Sequence, residues 1–153
     1  MIQAKDIMTQ DVKVVNTDDS VGGVIRCFLE EGITSAVVVD NDNKVKGIVT
    51  DGDILAAVRQ RRPVVVDVMS YFWAVGDEED FVAKTDAVKQ KKVKEIMSKH
   101  VVTVTEDTSI PEIARLMVEN GIKQIPVVQS GCIVGLIRRK DIVKAVAEAA
   151  GEL

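Results

Sequence analysis

The chain is poor in the side chains that most often carry metal, redox or nucleophilic chemistry. Its 153 residues include one histidine and two cysteines. His100 by itself cannot build a zinc cluster, and no Ser-His-Asp or Cys-His arrangement can be assembled around it. Cys27 falls on the apolar face of a predicted helix and Cys132 in a turn, which gives neither a disulfide framework nor a metal site. No apolar run approaches the ~18 residues of a membrane span. Met1-Ile2-Gln3-Ala4-Lys5-Asp6 lacks the apolar core of a signal peptide, so a cytoplasmic protein is expected. A net charge of −4 argues against general nucleic-acid binding, Arg138-Arg139-Lys140 being a local basic exception. There is no Gly-rich phosphate loop with Lys-Ser or Lys-Thr, and Gly22-Gly23 falls early in a helix. Asp40-Asn41-Asp42-Asn43-Lys44 starts like a calcium loop but puts Lys44 at a ligand position and lacks the turn glycine. The carboxylates show no pairing of the kind a hydrolase uses. No catalytic set is found, and the chain reads as a non-enzyme.

What the chain does contain is an internal repeat. Asp6-Ile7-Met8-Thr9 returns as Glu95-Ile96-Met97-Ser98, an offset of 89 residues. Ser20-Val21 through Gly32-Ile33 returns as Ser109-Ile110 through Gly121-Ile122. Gly47-Ile48-Val49-Thr50-Asp51-Gly52-Asp53-Ile54 returns as Gly135 to Ile142, now at an offset of 88, so the second copy has lost one residue in a turn. A repeat of about fifty residues kept in order means two similar units, and the seam between stacked units is where ligands and partners tend to sit. With 46% hydrophobic and 29% charged residues the chain is a globular one, and the two copies are expected to share a core.

The periodicity of each copy predicts β-α-β-β-α, an α+β fold. In the first copy Val12 to Val15 reads as a strand. Ser20 caps a helix with an apolar stripe at Val21, Val24, Ile25, Phe28 and Leu29, which Gly32 ends. Ala36 to Val39 and Val45 to Val49 form a hairpin around Asn41-Asp42-Asn43, and a second helix starts near Ile54. In the second copy Ser109 and Glu112 predict a capping box with Pro111 in the first turn. The stripe is Ile110, Ile113, Ala114, Met117 and Val118. Ile125 to Val128 and Ile133 to Ile137 form the hairpin, and Ile142 to Ala150 the last helix. The stretch from Gln60 to Lys92 has no counterpart. It carries four of the five aromatics, Tyr71, Phe72, Trp73 and Phe81, which either anchor the linker on its own domain or form a patch for a partner. Asp67-Val68-Met69 echoes Asp6-Ile7-Met8, but no repeat follows it.

Thr50 and Asp53 lie three apart where a strand runs into a helix. Backbone N–H groups at a helix start favour anions, and a hydroxyl and a carboxylate beside them can hold a phosphate and a ribose diol. The same pair is also a capping box, with no ligand needed. In the second copy the cap position is Arg138, which cannot cap, yet Asp141 is kept. That points to another role for the carboxylate or to the helix dipole. From these residues alone both readings stay open.

The pattern Asp-Ile-Met-Thr, Ser-Val, Gly-Ile, Val-Val-Val-Asp and Gly-Ile-Val-Thr-Asp-Gly-Asp-Ile resembles a CBS domain. Gly121-Ile122-Lys123-Gln124-Ile125-Pro126-Val127-Val128 resembles the same family in the second copy. The resemblance covers about 2–59 and 91–147, which sets the repeats at 2–59 and 91–150 with 60–90 as an inserted linker. It implies a pseudo-two-fold pair of repeats, called a Bateman module, which commonly docks into a homodimer. It also implies a regulatory role in binding AMP, ADP or ATP, with no cofactor required, or in some relatives S-adenosylmethionine. In one cleft it places Asp53 on the ribose, Thr50 near phosphate or ribose, and Ile48 near the base. Met97, Val102 and Ile122 would line the adenine slot, with Thr34 and Lys123 facing the phosphates. In the other cleft it places Asp141 on the ribose, with Leu136, Met8, Lys13 and Ile33 along the slot. There Arg138 replaces the usual Ser or Thr, where it either contacts phosphate or closes the cleft, and Lys13 replaces a small apolar residue. The Asp53 cleft is the better expected site. The regulated partner is expected in trans, and the competing reading is a ligand-free interaction module that works through Tyr71-Phe72-Trp73.

Overall fold

The computed structural model describes residues 1–59 and 78–151. The aromatic triplet Tyr71-Phe72-Trp73 and the Asp67-Val68-Met69 echo therefore lie outside the described residues. The elements are α1 (Ala4–Ile7), β1 (Val14–Asn16), α2 (Val21–Glu31), β2 (Ser35–Val39), β3 (Val45–Thr50), α3 (Asp51–Val58) and α4 (Glu78–Gln90). A 3₁₀ turn at Val93–Glu95, then α5 (Ile110–Asn120), β4 (Gln124–Gln129), β5 (Cys132–Arg138) and α6 (Arg139–Ala149) complete the chain.

The two amphipathic helices begin and end as their residues dictate. Ser20 Oγ accepts the Gly23 N–H at 3.0 Å, and Ser109 Oγ accepts the Glu112 N–H at 3.4 Å. Gly32 (φ 63°) and Gly121 (φ 61°) turn left-handed, and Ile33 N–H and Ile122 N–H close back onto the carbonyls of Phe28 and Met117 at 3.0 Å each. Two expectations are corrected. Glu112 does not complete a capping box, because its carboxylate accepts from Arg115 Nε at 2.8 Å instead. The last stripe position faces out in both copies, with Leu29 79% and Val118 81% exposed, while Val21, Val24, Phe28, Ile110, Ile113 and Met117 are buried.

The first copy forms a three-stranded sheet, β1 parallel to β2 and β2 antiparallel to β3, with a bulge at Val38/Val39. The second keeps the hairpin β4-β5 and the bulge at the matching place, Val127/Val128. Its expected first strand is reduced to one bridge, in which Val104 N–H donates to the Pro126 carbonyl at 3.0 Å and Val128 N–H to Val104 at 2.8 Å. Pro126 stands where the first copy has Val37, and without an N–H it cannot extend that ladder.

The copies exchange their leading segments. Residues 2–9 fold onto the second copy: Ala4 N–H donates to Thr108 (2.8 Å) and Lys5 N–H to Glu106 (3.0 Å), and Thr9 and Leu136 exchange both backbone bonds at 2.9 and 3.0 Å. Fully buried Ala4 belongs to the core of Ile113, Ile125 and Ile137. Conversely, Val93 N–H donates to Asp19 (2.9 Å), Ser98 and Ile48 exchange bonds at 2.9 and 3.0 Å, and Val93 is fully buried with Val15, Val24, Val38 and Val49. Burying a valine contributes roughly 2 kcal/mol, which helps to hold the Val93 segment on the first copy. Glycine makes the approach possible. A Cβ at Gly47 would lie 2.6 Å from the Ser98 carbonyl oxygen, and one at Gly135 would lie 2.8 Å from Met8 Cγ.

The two sheets then meet at a Lys44–Cys132 bridge, with Val45 N–H on the Gly131 carbonyl (3.1 Å) and Ile133 N–H on Asn43 (3.2 Å). A third core group of Val37, Val39 and Leu136, with Val12, Val45 and Ile133 against it, spans both copies. The two copies are thus joined by this core group and by the backbone bonds at the bridge. Helix α4 docks on the start of α2 through buried Val88. A Cβ at Gly22 would lie 3.3 Å from the Lys89 carbonyl oxygen, so Gly22 serves this close packing.

Candidate functional site

Each copy builds the same corner. The turn after the first helix (Ile33-Thr34-Ser35, Ile122-Lys123-Gln124) lies beside the strand-to-helix junction of the same copy (Thr50-Asp51, Arg138-Arg139). Asp51 N–H donates to the Thr34 carbonyl at 2.9 Å, and Arg139 N–H to the Lys123 carbonyl at 3.2 Å. Ser35 is the cross-strand partner of Thr50, and Gln124 of Arg138. The corners face each other across the seam, where Gln124 Nε2 donates to Ser35 Oγ at 2.8 Å.

Between them lies a cleft of about 610 Å³. The first copy lines it with Gly32, Ile33, Thr34, Ser35, Ile48, Thr50 and Asp51, the second with Gly121, Ile122, Lys123, Gln124 and Arg138. Pockets for small ligands run from about 300 to 1,000 Å³, so a nucleotide fits by size. Residues expected in two separate clefts thus gather around one. Thr34, Ile48, Thr50, Ile122 and Lys123 from the first expected set meet Ile33 and Arg138 from the second.

The remaining expected residues do not line this cleft. Asp53 sits one turn into α3 behind Thr50. Met97 is packed against the first copy's core and lines a different cavity, while Val102 and Met8 pack against the second copy's core. Leu136 is buried between the copies, and Asp141 lies in the first turn of α6. Lys13 is exposed, with its ammonium 3.9 Å from the Glu31 carboxylate.

Thr50 and Asp53 form a complete capping box. Thr50 Oγ1 accepts the Asp53 N–H at 3.2 Å, while Asp53 Oδ2 accepts the Thr50 N–H at 2.9 Å and its hydroxyl at 3.2 Å. Among the described residues no donor reaches Asp53 Oδ1, so the cap and a ligand contact are compatible in one carboxylate. The argument that Asp141 lacks a capping role is corrected. Its Oδ2 accepts the Arg138 backbone N–H at 2.7 Å, which needs nothing from the Arg138 side chain. The same device recurs at Gln3 with Asp6 (2.8 Å) and at Lys92 with Glu95 (2.7 Å).

The charge in the cleft is uneven. Among the described residues neither Lys123 nor half-buried Arg138 has an acidic partner within ion-pair distance. Among the described residues the only carboxylate in the lining is Asp51, whose Oδ1 accepts the Gly52 N–H at 2.8 Å.

A second cavity of about 420 Å³, unforeseen in the sequence, is lined by Thr17, Asp40, Lys46, Lys94, Met97 and Lys99. Two of its lysines are partnered. Lys46 lies 3.7 Å from Asp40, and Lys94 lies 3.2 Å from Asp18. Donation from Lys94 holds the Asp18 carboxyl below the ordinary range, and the Lys44 backbone N–H does the same for Asp40. Among the described residues, no helix is long and apolar enough to cross a membrane.

Comparison with known proteins agrees with this architecture. The CBS domain family model matches the chain twice, over residues 4–60 and 93–148. The uncharacterized protein MJ1426 of Methanocaldococcus jannaschii is 30% identical over 150 residues, covering 92% of this chain and 89% of that one. The inosine-5'-monophosphate dehydrogenase of the same organism is 31% identical over 143 residues, covering 93% of this chain but 23% of the enzyme's length. The crystal structure of CBSX2 in complex with AMP superposes with a TM-score of 0.74 at 26% identity, covering 97% of this chain and 98% of that one; CBSX2 is a chloroplastic protein of Arabidopsis thaliana. The chain belongs to the CBS-domain family and carries two repeats of it.

Proposed function

From membership of a family of regulatory modules, we propose that this CBS-domain pair is a non-catalytic sensor that binds an adenosine-containing ligand (AMP, ADP or ATP) in the seam cleft. The observation that carries the reading is that one nucleotide-sized cleft is built jointly by both repeats, with Thr50, Lys123 and Arg138 in its wall. The CBSX2 structure, of the same fold, is a complex with AMP. Asp53 lies outside the lining, bonded through Oδ2 to Thr50, which does line it; a ligand that reaches past Thr50 sets its ribose diol on Asp53 Oδ1, to which no donor comes among the described residues. Thr50 and Thr34 offer hydroxyls, Ile48 and Ile122 pack on the base, and Lys123 neutralises phosphate.

A ligand that touches both halves biases their relative placement by no more than its differential affinity for the two arrangements. A partner in trans reads that bias. The module works as a homodimer in the cytoplasm. Leu29 and Val118, and likewise Leu55 and Val143, are repeat-related exposed apolar pairs on the helices, and a second copy of the chain covers them. Sedimentation at micromolar concentration should give twice the chain mass; a monomer would remove this part of the reading.

Thermal unfolding with AMP, ADP, ATP and S-adenosylmethionine tests the ligand. At a hundredfold excess over Kd a ligand specific for the folded state adds about 2.7 kcal/mol. A raised midpoint with an adenine nucleotide is expected. No shift with any of them would leave the ligand-free interaction reading instead.

A further inference from the structure

The two corners of the cleft are alike in backbone and opposite in charge. Thr34 corresponds to Lys123, Thr50 to Arg138 and Asp51 to Arg139. In the first copy the helix-cap position is filled as local stability asks, with Thr50 capping α3. In the second, the cap residue of α6 is Arg138, which has the extended backbone of a cap (φ −107°, ψ 163°) and no acceptor to offer. A Ser or Thr there would stabilise α6, so local preference has given way to a cation in the cleft wall. Departures of that kind cluster at functional positions. A second observation is independent of the cap. Lys123, set by the Gly121 turn and tied through its carbonyl to Arg139, brings its charge to the same cleft, and among the described residues neither cation is neutralised by an acid.

We propose that Lys123 and Arg138 make the cleft selective for a nucleotide with two or more phosphates, bound once per chain with its ribose on the Asp53 side and its phosphates across the seam on the second repeat. The inference rests on the reading of this cleft as an adenine-nucleotide site. The direction follows from charge. Asp51 repels phosphate from the first-repeat wall, and the cations draw it to the other. The stoichiometry follows from the shared space, since two polyphosphate chains would crowd one cleft that holds two cations and a carboxylate. Arg138, with a planar fork of donors, suits bidentate contact with phosphate oxygens.

The test is calorimetric titration of the full chain with ATP, ADP, AMP, adenosine and inorganic tripolyphosphate, without added divalent cation, for the wild type and Arg138→Ser. The serine restores a cap, so the variant keeps its fold and its midpoint should not fall. Charge-assisted hydrogen bonds of about 1.5–3 kcal/mol correspond to a tenfold or greater preference for ATP and ADP over AMP. That preference, at one ATP per chain, should fall below about threefold in Arg138→Ser. Equal affinity for AMP and ATP in the wild type, two ATP per chain, or unchanged ATP affinity in the variant would overturn the proposal. If no adenine nucleotide binds but tripolyphosphate binds in an Arg138-dependent manner, the cation pair stands and the adenosine reading falls.

Discussion

The two repeats share a fold down to the bulge in each hairpin, yet they spend the same corner differently. The first uses Thr50 and Asp53 to complete a helix cap and leaves a wall whose charge is the Asp51 carboxylate. The second leaves its cap half-made and presents Arg138 and Lys123. Backbone geometry is therefore the conserved part of the duplication within this chain, and side-chain chemistry at the seam is where the copies have parted. Neither copy owns the cleft, which is walled by the hydroxyl and carboxylate corner of one and the cationic corner of the other.

The comparison is broken most strongly at the two first-turn carboxylates. Asp53→Asn should abolish nucleotide-dependent stabilisation, a loss of about 2.7 kcal/mol at a hundredfold ligand excess, whereas Asp141→Asn should keep most of it. Thermal unfolding of both variants with ATP decides this, and equal losses would mean that the two corners are equivalent. Next come the glycines under the exchanged segments. Gly47→Ala drives a Cβ onto the Ser98 backbone carbonyl, and an overpacked site costs about 1–3 kcal/mol. Gly135→Ala meets the Met8 side chain, which can yield, so its cost should fall at the lower end of that range. Urea unfolding of each variant checks the order. The smallest effect is at the caps. Thr50→Ala should destabilise by about 1 kcal/mol, and Arg138→Ser should stabilise by up to a similar amount, with opposite signs at matching positions. Ligand-free midpoints measure both.

Much of the fold was legible because the repeat is internal evidence. Gly32 and Gly121, Ser20 and Ser109, and the two hairpins each predict the other, and the structure has them all. The exchange of leading segments was not legible. Asp6-Ile7-Met8-Thr9 and Glu95-Ile96-Met97-Ser98 are alike, and periodicity cannot say which copy each will cover. That exchange also borders the site: it places Ser98 on Ile48, which lines the cleft, and Thr9 on Leu136 in the strand that ends at Arg138. Asp141 was misjudged because a capping box was read as a pair of side chains, when the carboxylate needs only the backbone N–H of the cap residue. The truncated first strand of the second repeat had a signal in Pro126, whose missing N–H can be read from the sequence once the parallel partner is known. Helix α4 carried little signal, since its packing rests on Val88 and on Gly22 across from it.

The most direct test of a jointly built cleft is a crystal structure of the full chain grown with ATP. The account predicts one nucleotide per chain in the seam, with its ribose against Asp53 and its phosphates on Lys123 and Arg138. A nucleotide held by one repeat alone, or seated in the lysine-lined cavity at Lys46, Lys94 and Lys99, would contradict it.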